Sequence, residues 1–283
     1  MIAANELVDL VGKAREAAQR AGVQGVDFAV VLGSGLSAFA ETLEGAIRVP
    51  YTDLPGFKSA TVKGHRGELV YGMMEGYRVL IFSGRMHLYE GIEPWRAGLL
   101  PRLAAALGAR VFMVTNASGG ISGKGLEPGD LMRITDQINL QGTNPLVGDH
   151  DERLGARFPD MGQPYDRQLG ACLDELASSL GDPLKKGVYV GVLGPGYESP
   201  AEVRMYGLLG ADTIGMSTVG EVLVARQVGL PVVGVSCISN YAAGNDGEEV
   251  LTHADVTEVV GAAAQRFVRL LRAGVPHLME RIS

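Results

Sequence analysis

Four short runs of β-forming residues, VDFAVVLG (26–33), ARVFMVTNA (109–117), GVYVGVLG (187–194) and PVVGVSCIS (231–239), are apolar almost throughout rather than at every second position. A strand wetted on one face alternates; a strand covered on both faces does not. Helical periodicity separates these runs, at 5–21, 94–107, 166–180, 200–209, 219–228 and 255–272. Two more strand segments lie at 130–138 and at 67–84, the latter a hairpin about Glu75-Gly76. Strand–helix alternation predicts an α/β fold with a mixed central sheet flanked by helices on both faces. Repeats, low-complexity tracts and long linkers are absent, so residues 1–283 are expected to form a single domain. The only long irregular stretch is 139–165, and a loop of that length is usually functional or interfacial.

Composition narrows the function. Glycine, 40 of 283 residues, runs at about twice the ordinary frequency of roughly 7%. With no glycine repeat, the excess belongs in turns and where backbone approaches a ligand. A net charge of −7 argues against a nucleic-acid backbone as partner. Cys172 and Cys237 have no CxxC spacing and read as reduced thiols. No apolar run reaches the ~20 residues that span a bilayer. The charged start, MIAANELVDLVGKAREAAQRAG, reads as an amphipathic helix, not a leader peptide. These features predict a soluble cytoplasmic protein.

VVLGSGLSAF (30–39) turns sharply off a strand, as phosphate-holding loops do. GSGLSA fits the G-x-G-x-x-A dinucleotide pattern, but the following helix pattern dies by Gly45. The next acid in range, Asp53, sits in a turn instead of at the end of a second strand. SGGISGKG (118–125) fails as a Walker loop, with Ser118 and Gly125 at its key positions. A nucleophile elbow fails because Leu32 replaces its first glycine. What remains is a loop offering amides and the Ser34 hydroxyl to a small anion, or a tight turn with no ligand.

Other strand ends bear on that choice. FSGRMHLYEG (82–91) carries Arg85, whose planar fork suits phosphate oxygens, and His87. Glu90 is expected to hold the other nitrogen of His87 and favour the charged ring. VTNASGGI (114–121) runs into small residues whose amides reach an oxyanion. GADTIGMSTVGEVLVA (210–225) places Met216, Ser217 and Thr218 between strand and helix. GVLGPGYESPAEV (191–203) presents Tyr197 and Glu198, and SCISNYAAG (236–244) ends in Ser239 and Asn240. Together they put polar and ring-recognising groups at the strand ends, where α/β sheets bind ligands.

The ordered set GSGL, KGHRG, GRMHLYEG, TNASGG, GPGYES, GMSTVGEVLVAR and SNYAAG resembles the trimeric purine nucleoside phosphorylases, from about residue 26 to about 270. The resemblance implies phosphorolysis of a purine nucleoside by orthophosphate, giving free base and ribose 1-phosphate. It implies a phosphate cradle of Ser34, His65, Arg85, His87, Ser217 and the backbone at Ala117. It places Tyr89, Met216 and His253 at the ribose, Tyr197 against the purine, and Glu198 and Asn240 as hydrogen-bonding partners of the base. Phe158, from the long loop, is implied to complete a neighbouring subunit's ribose site in a homotrimer.

The chemistry agrees. Cleaving the N-glycosidic bond builds positive charge on the ribose and negative charge on the departing purine. His87 and the other cradle groups hold the attacking phosphate, while Asn240 and Glu198 serve the leaving base. No metal or organic cofactor is called for; orthophosphate is a co-substrate. Ser118 stands where alanine is more usual, Ser199 and Ser239 where threonine is common, and Tyr241 where lysine or leucine often sits. The hydroxyl exchanges are expected to be harmless, and Tyr241 bears on base choice. A methylthioadenosine phosphorylase and a non-catalytic nucleoside-binding protein are the alternatives. Asn240 and His253 favour a 6-oxopurine nucleoside with a free 5′-hydroxyl, and a mere binder needs no phosphate cradle.

Overall fold

A computed structural model describes residues 2–33, 35–58, 66–244 and 253–282, with side chains from 258 onward in the last stretch. In chain order the elements are α1 (Ala4–Arg20), β1 (Phe28–Leu32), β2 (Glu44–Pro50), β3 (Glu68–Met74), β4 (Tyr77–Ser83), α2 (Pro94–Ala97), α3 (Leu99–Ala106), β5 (Val111–Gly120) and β6 (Leu131–Leu140). They continue with α4 (Arg167–Ser179), β7 (Lys185–Val192), α5 (Pro200–Leu208), β8 (Thr213–Gly215), α6 (Val219–Gln227), β9 (Val232–Tyr241) and α7 (His253–Met279).

The strands form one mixed sheet in the order β2-β3-β4-β1-β5-β8-β7-β6-β9, and β9 returns to pair with β5. Five strands, β5, β8, β7, β6 and β9, therefore close into a ring, which removes the free edges an open sheet would leave there. β1 lies parallel to β4 and β5, and β5 parallel to β9, whereas β5–β8 and β6–β9 are antiparallel.

Burial on both faces explains the non-alternating strands. Ala29, Val31, Phe112 and Val114 pack in one apolar cluster with Leu7 of α1 and Leu99 and Leu103 of α3. Their sequence neighbours Phe28, Val30, Val111 and Met113 pack in a second cluster with Leu173 of α4 and Phe267 and Leu271 of α7. The hairpin turns at Glu75 and Gly76, both at positive φ (47° and 83°), as a two-residue loop matched to strand twist requires.

Departures from the sequence expectation have local causes. β2 went unseen because six of its seven residues are at least partly exposed, which leaves no apolar pattern. The helix expected at 94–107 is interrupted at Gly98, where a Cβ would stand 2.6 Å from Val224 of α6. α7 runs past the expected 272 to Met279, although an interior proline costs ~3 kcal/mol. Val275, Leu278 and Met279 are all buried, each contributing ~1.5–3 kcal/mol, which offsets Pro276. The irregular stretch begins after Leu140 and holds only a short 3₁₀ turn at Glu152–Leu154.

Candidate active site at the strand ends

β1, β4, β5 and β9 run in parallel and end on one side of the sheet. β8 pairs antiparallel with the last residues of β5, so the chain leaving it returns alongside Asn116–Ser118. That reversal brings Met216, Ser217 and Thr218 to the exits of the parallel strands. At the glycine loop, Thr115 Oγ1 accepts from the Gly33 amide (3.0 Å) and donates to the Val31 carbonyl (2.8 Å). A Cβ on Gly33 would lie 2.8 Å from Asn116 Cα, so only glycine lets the loop leave β1 this close to β5.

Arg85 is 2% exposed and makes a two-pronged ion pair with the equally buried Glu221. Its Nε donates to Oε1 at 2.7 Å and its Nη2 to Oε2 at 3.1 Å. The fully buried Tyr51 donates its hydroxyl to the Gly84 carbonyl (2.7 Å), fixing the backbone just before Arg85. The sequence reading did not foresee this ion pair, in which the Nε–Nη2 edge of the guanidinium clasps Glu221.

His87 lies on the same loop, with its ring stacked on Tyr89 (4.7 Å between centroids, 14° between planes). Its Nδ1 is 3.3 Å from a Glu90 carboxylate oxygen, which also accepts from the His87 backbone amide at 2.7 Å. Glu90 holds the ring nitrogen as expected, but the pKa shift runs the other way. Burial lowers the imidazole pKa and outweighs the opposing pull of Glu90. The carboxylate is shared with an amide and does not compensate the lost hydration of the cation. His87, Gln141, Met216, Ser217, Thr218 and Glu221 line one small cavity.

A second group of predicted residues sits nearer the surface. A Cβ on Gly194 would stand 2.3 Å from Met216 Sδ, so the 193–198 loop lies against Met216. Met216 and Ala243 both pack against the apolar cluster that holds Ala242, just after Asn240. Asn240 is half-buried; its Oδ1 accepts from the Ser239 hydroxyl (2.6 Å) and its Nδ2 donates to the Tyr241 carbonyl (2.8 Å). Burial raises the Glu198 carboxyl pKa and pushes the Tyr89 hydroxyl up to about 12, with Glu90 and Tyr197 adding to the latter. Tyr197 is 49% exposed. Ala117 sits within β5, level with Cys237 of β9. Phe158 stands apart at 88% exposure, with the Arg157 guanidinium 5.7 Å over its ring. Ser34, His65 and the side chain of His253 lie outside the described residues.

Sequence reasoning missed Glu221, Asn116, the Thr218 side chain and Tyr51. A signal existed for Glu221, the one acid in the otherwise apolar VGEVLVA, and for Asn116, a polar residue inside a buried strand.

Comparison with known proteins places this arrangement. Residues 27–275 match the phosphorylase superfamily. Purine nucleoside phosphorylase 1 of Geobacillus stearothermophilus is 46% identical over 249 residues, 88% of this chain and 90% of the relative. The Bos taurus purine nucleoside phosphorylase is 40% identical over 257 residues, covering 88% and 89%. The Schistosoma mansoni purine nucleoside phosphorylase solved with inosine superposes at a TM-score of 0.88 with 33% identity, covering 94% and 95%. The chain therefore belongs to the phosphorylase superfamily. Within it, its place is among the purine nucleoside phosphorylases, which are pentosyltransferases.

Proposed function

We propose that the chain, acting as one domain, phosphorolyses 6-oxopurine ribonucleosides and deoxyribonucleosides such as inosine and guanosine. The observation that carries this reading is the meeting of Arg85–Glu221, His87 and Met216–Thr218 at the converging strand ends, beside the 193–198 loop and Asn240. Orthophosphate, held by Ser34, His65, Arg85, His87, Ser217 and the Ala117 backbone, attacks C1′. The new C1′–O bond forms as the C1′–N9 bond breaks, and the purine leaves with the electron pair. Donors already in place at developing charge are usually the largest catalytic contribution. Asn240 donates to the 6-oxo side of the base and Glu198 accepts from N1–H. Tyr89, Met216 and His253 hold the ribose, and Tyr197 packs on the purine. The step needs no metal or organic cofactor.

The reading includes a cytoplasmic homotrimer in which Phe158 completes a neighbour's site. Its support is the exposed apolar surface at Val147 (71%), Phe158 and Leu208 (89%), which a lone chain leaves in water. Among the described residues no helix is long and apolar enough to cross a membrane.

The test is hypoxanthine release from inosine with and without phosphate, with adenosine and methylthioadenosine as comparison substrates. Release that is absent, or independent of phosphate, overturns the reading; methylthioadenosine as the favoured substrate overturns the base assignment.

A further inference from the structure

Five side chains form an unbroken hydrogen-bonded row behind the candidate phosphate site. Ser118 Oγ lies 2.6 Å from Ser236 Oγ, and Ser236 Oγ donates to Asn116 Oδ1 at 2.6 Å. Asn116 Nδ2 donates to Thr218 Oγ1 at 2.9 Å, and Thr218 Oγ1 lies 3.0 Å from Ser217 Oγ. The first four residues are at most 3% exposed. Ser217 is half-buried and lines the cavity that His87 also lines.

The row has a direction. A hydroxyl carries one proton, and an amide nitrogen donates but does not accept. Ser236 gives its proton to Asn116, so its oxygen accepts from Ser118, and Asn116 Nδ2 donates onward to Thr218 Oγ1. Were the Asn116 amide turned over, that order would reverse. The Tyr189 hydroxyl, which accepts from the Ser217 amide at 3.2 Å, closes the same end of the row.

The turn at the end of the row is costly. Thr218 has φ 69° and ψ −53°, and the Val219 amide donates to the Ser217 carbonyl at 2.7 Å. This is a three-residue γ-turn of the rare positive-φ kind, on a β-branched residue that disfavours that region. Such strain persists where surrounding bonds hold it, and it clusters at ligand clamps. Here the Asn116–Thr218 bond is one of those ties.

We propose that Ser118, Ser236, Asn116 and Thr218 are positioning residues that hold the Ser217 side chain in place at the cavity for a phosphate oxygen. The proposal rests on the reading of Ser217 as a phosphate ligand. It also gives Ser118 a role. Its hydroxyl begins the row.

Thr218→Val keeps the branched shape and removes only the hydroxyl. Titration with inorganic phosphate should show affinity reduced about tenfold, the loss of one hydrogen bond to a charged acceptor. The phosphate KM should rise in parallel, while the inosine KM stays within about twofold. Thr218→Ser should restore most of the loss. If Thr218→Val does not fold, Ser236→Ala, which frees the Asn116 amide to turn, is read in the same way with a threefold to fivefold loss expected (about half that free-energy change). Unchanged phosphate affinity overturns the proposal, as does an equal weakening of phosphate and inosine, which marks a general packing role. A wild type that binds phosphate but does not split inosine overturns the proposed reaction and leaves the row testable by titration. A wild type that binds no phosphate overturns both.

Discussion

Arg85 and Phe158 stand at opposite extremes of the candidate site. One is 2% exposed and locked to Glu221 by two hydrogen bonds; the other is 88% exposed on an irregular stretch. On the phosphate side, Arg85 is braced across the sequence by Glu221, the half-buried Ser217 is tied through Thr218 to Asn116, and His87 is buried and held by Glu90 three residues on. On the base side, Tyr197 is 49% exposed, and Asn240, half-buried near the end of β9, bonds its sequence neighbours Ser239 and Tyr241. A buried anion site must have its donors set before the ligand arrives, because an unpaired buried charge is costly. A planar apolar base supplies its own packing surface and accepts a softer site. The phosphate side thus carries the long-range ties and the base side the more exposed ring.

Arg85→Ala tests that contrast with the largest expected effect. It removes a phosphate donor and also leaves the Glu221 carboxylate buried without its cation, which costs ~3–5 kcal/mol. Denaturant unfolding should show that loss, beside a phosphate kcat/KM reduced ten- to a hundredfold by the missing charge-assisted bond of ~1.5–3 kcal/mol. Arg85→Met combined with Glu221→Leu should recover stability and not phosphate use. If the pair recovers both, Arg85 is a structural residue and the comparison breaks.

Asn240→Asp probes the base side. Asn240 and Glu198 match the 6-oxo group and N1–H of hypoxanthine, while adenine mismatches both, at ~1–3 kcal/mol each. Inosine should therefore be preferred over adenosine by at least ~100-fold in wild type. The variant should lose most inosine activity, with adenosine activity falling less or rising, and folding stability should move by no more than ~0.5 kcal/mol. A wild type that splits the two nucleosides equally removes Asn240 from base selection.

Phe158→Ala is expected to matter less. Its own chain gives the ring little cover, so unfolding of that chain should shift by under ~0.5 kcal/mol. The nucleoside KM should rise about tenfold, the ~1.5 kcal/mol lower end of an aromatic's burial, because the ring is withdrawn from a neighbour. Light scattering that finds a fully active monomer ends the shared-site assignment.

The same contrast decides what was legible in the sequence. Buried strands announce themselves by runs of Val, Ile and Phe, and the hairpin by Glu75-Gly76 between them. Motifs at strand ends are local, so Arg85, His87, Ser217 and Asn240 were found as residue types in suggestive places. Long-range pairings have no local signature. The 136 residues between Arg85 and Glu221, and the 120 between Asn116 and Ser236, hid the ion pair and the hydroxyl row. Closure of five strands into a ring is hidden for the same reason, since β5–β9 pairing is a property of the whole sheet. Even the direction of the His87 pKa shift was misjudged, because Glu90 is visible three residues away and burial is not.

That misjudgement yields the smallest expected effect. Burial holds the His87 pKa below its ordinary ~6.5, so the unfolded chain binds this proton more readily than the folded one. Stability from this group is then fully present above ~6.5 and is lost as pH falls through the lower, folded value. Without phosphate, acidification from pH 7 to 5 should lower the melting temperature of wild type more than that of His87→Gln. Saturating phosphate should shrink this difference, because an anion beside the ring stabilises the imidazolium and raises its pKa. If wild type instead gains stability relative to the variant on acidification, Glu90 outweighs burial, and the phosphate half of the site holds a cation even when empty.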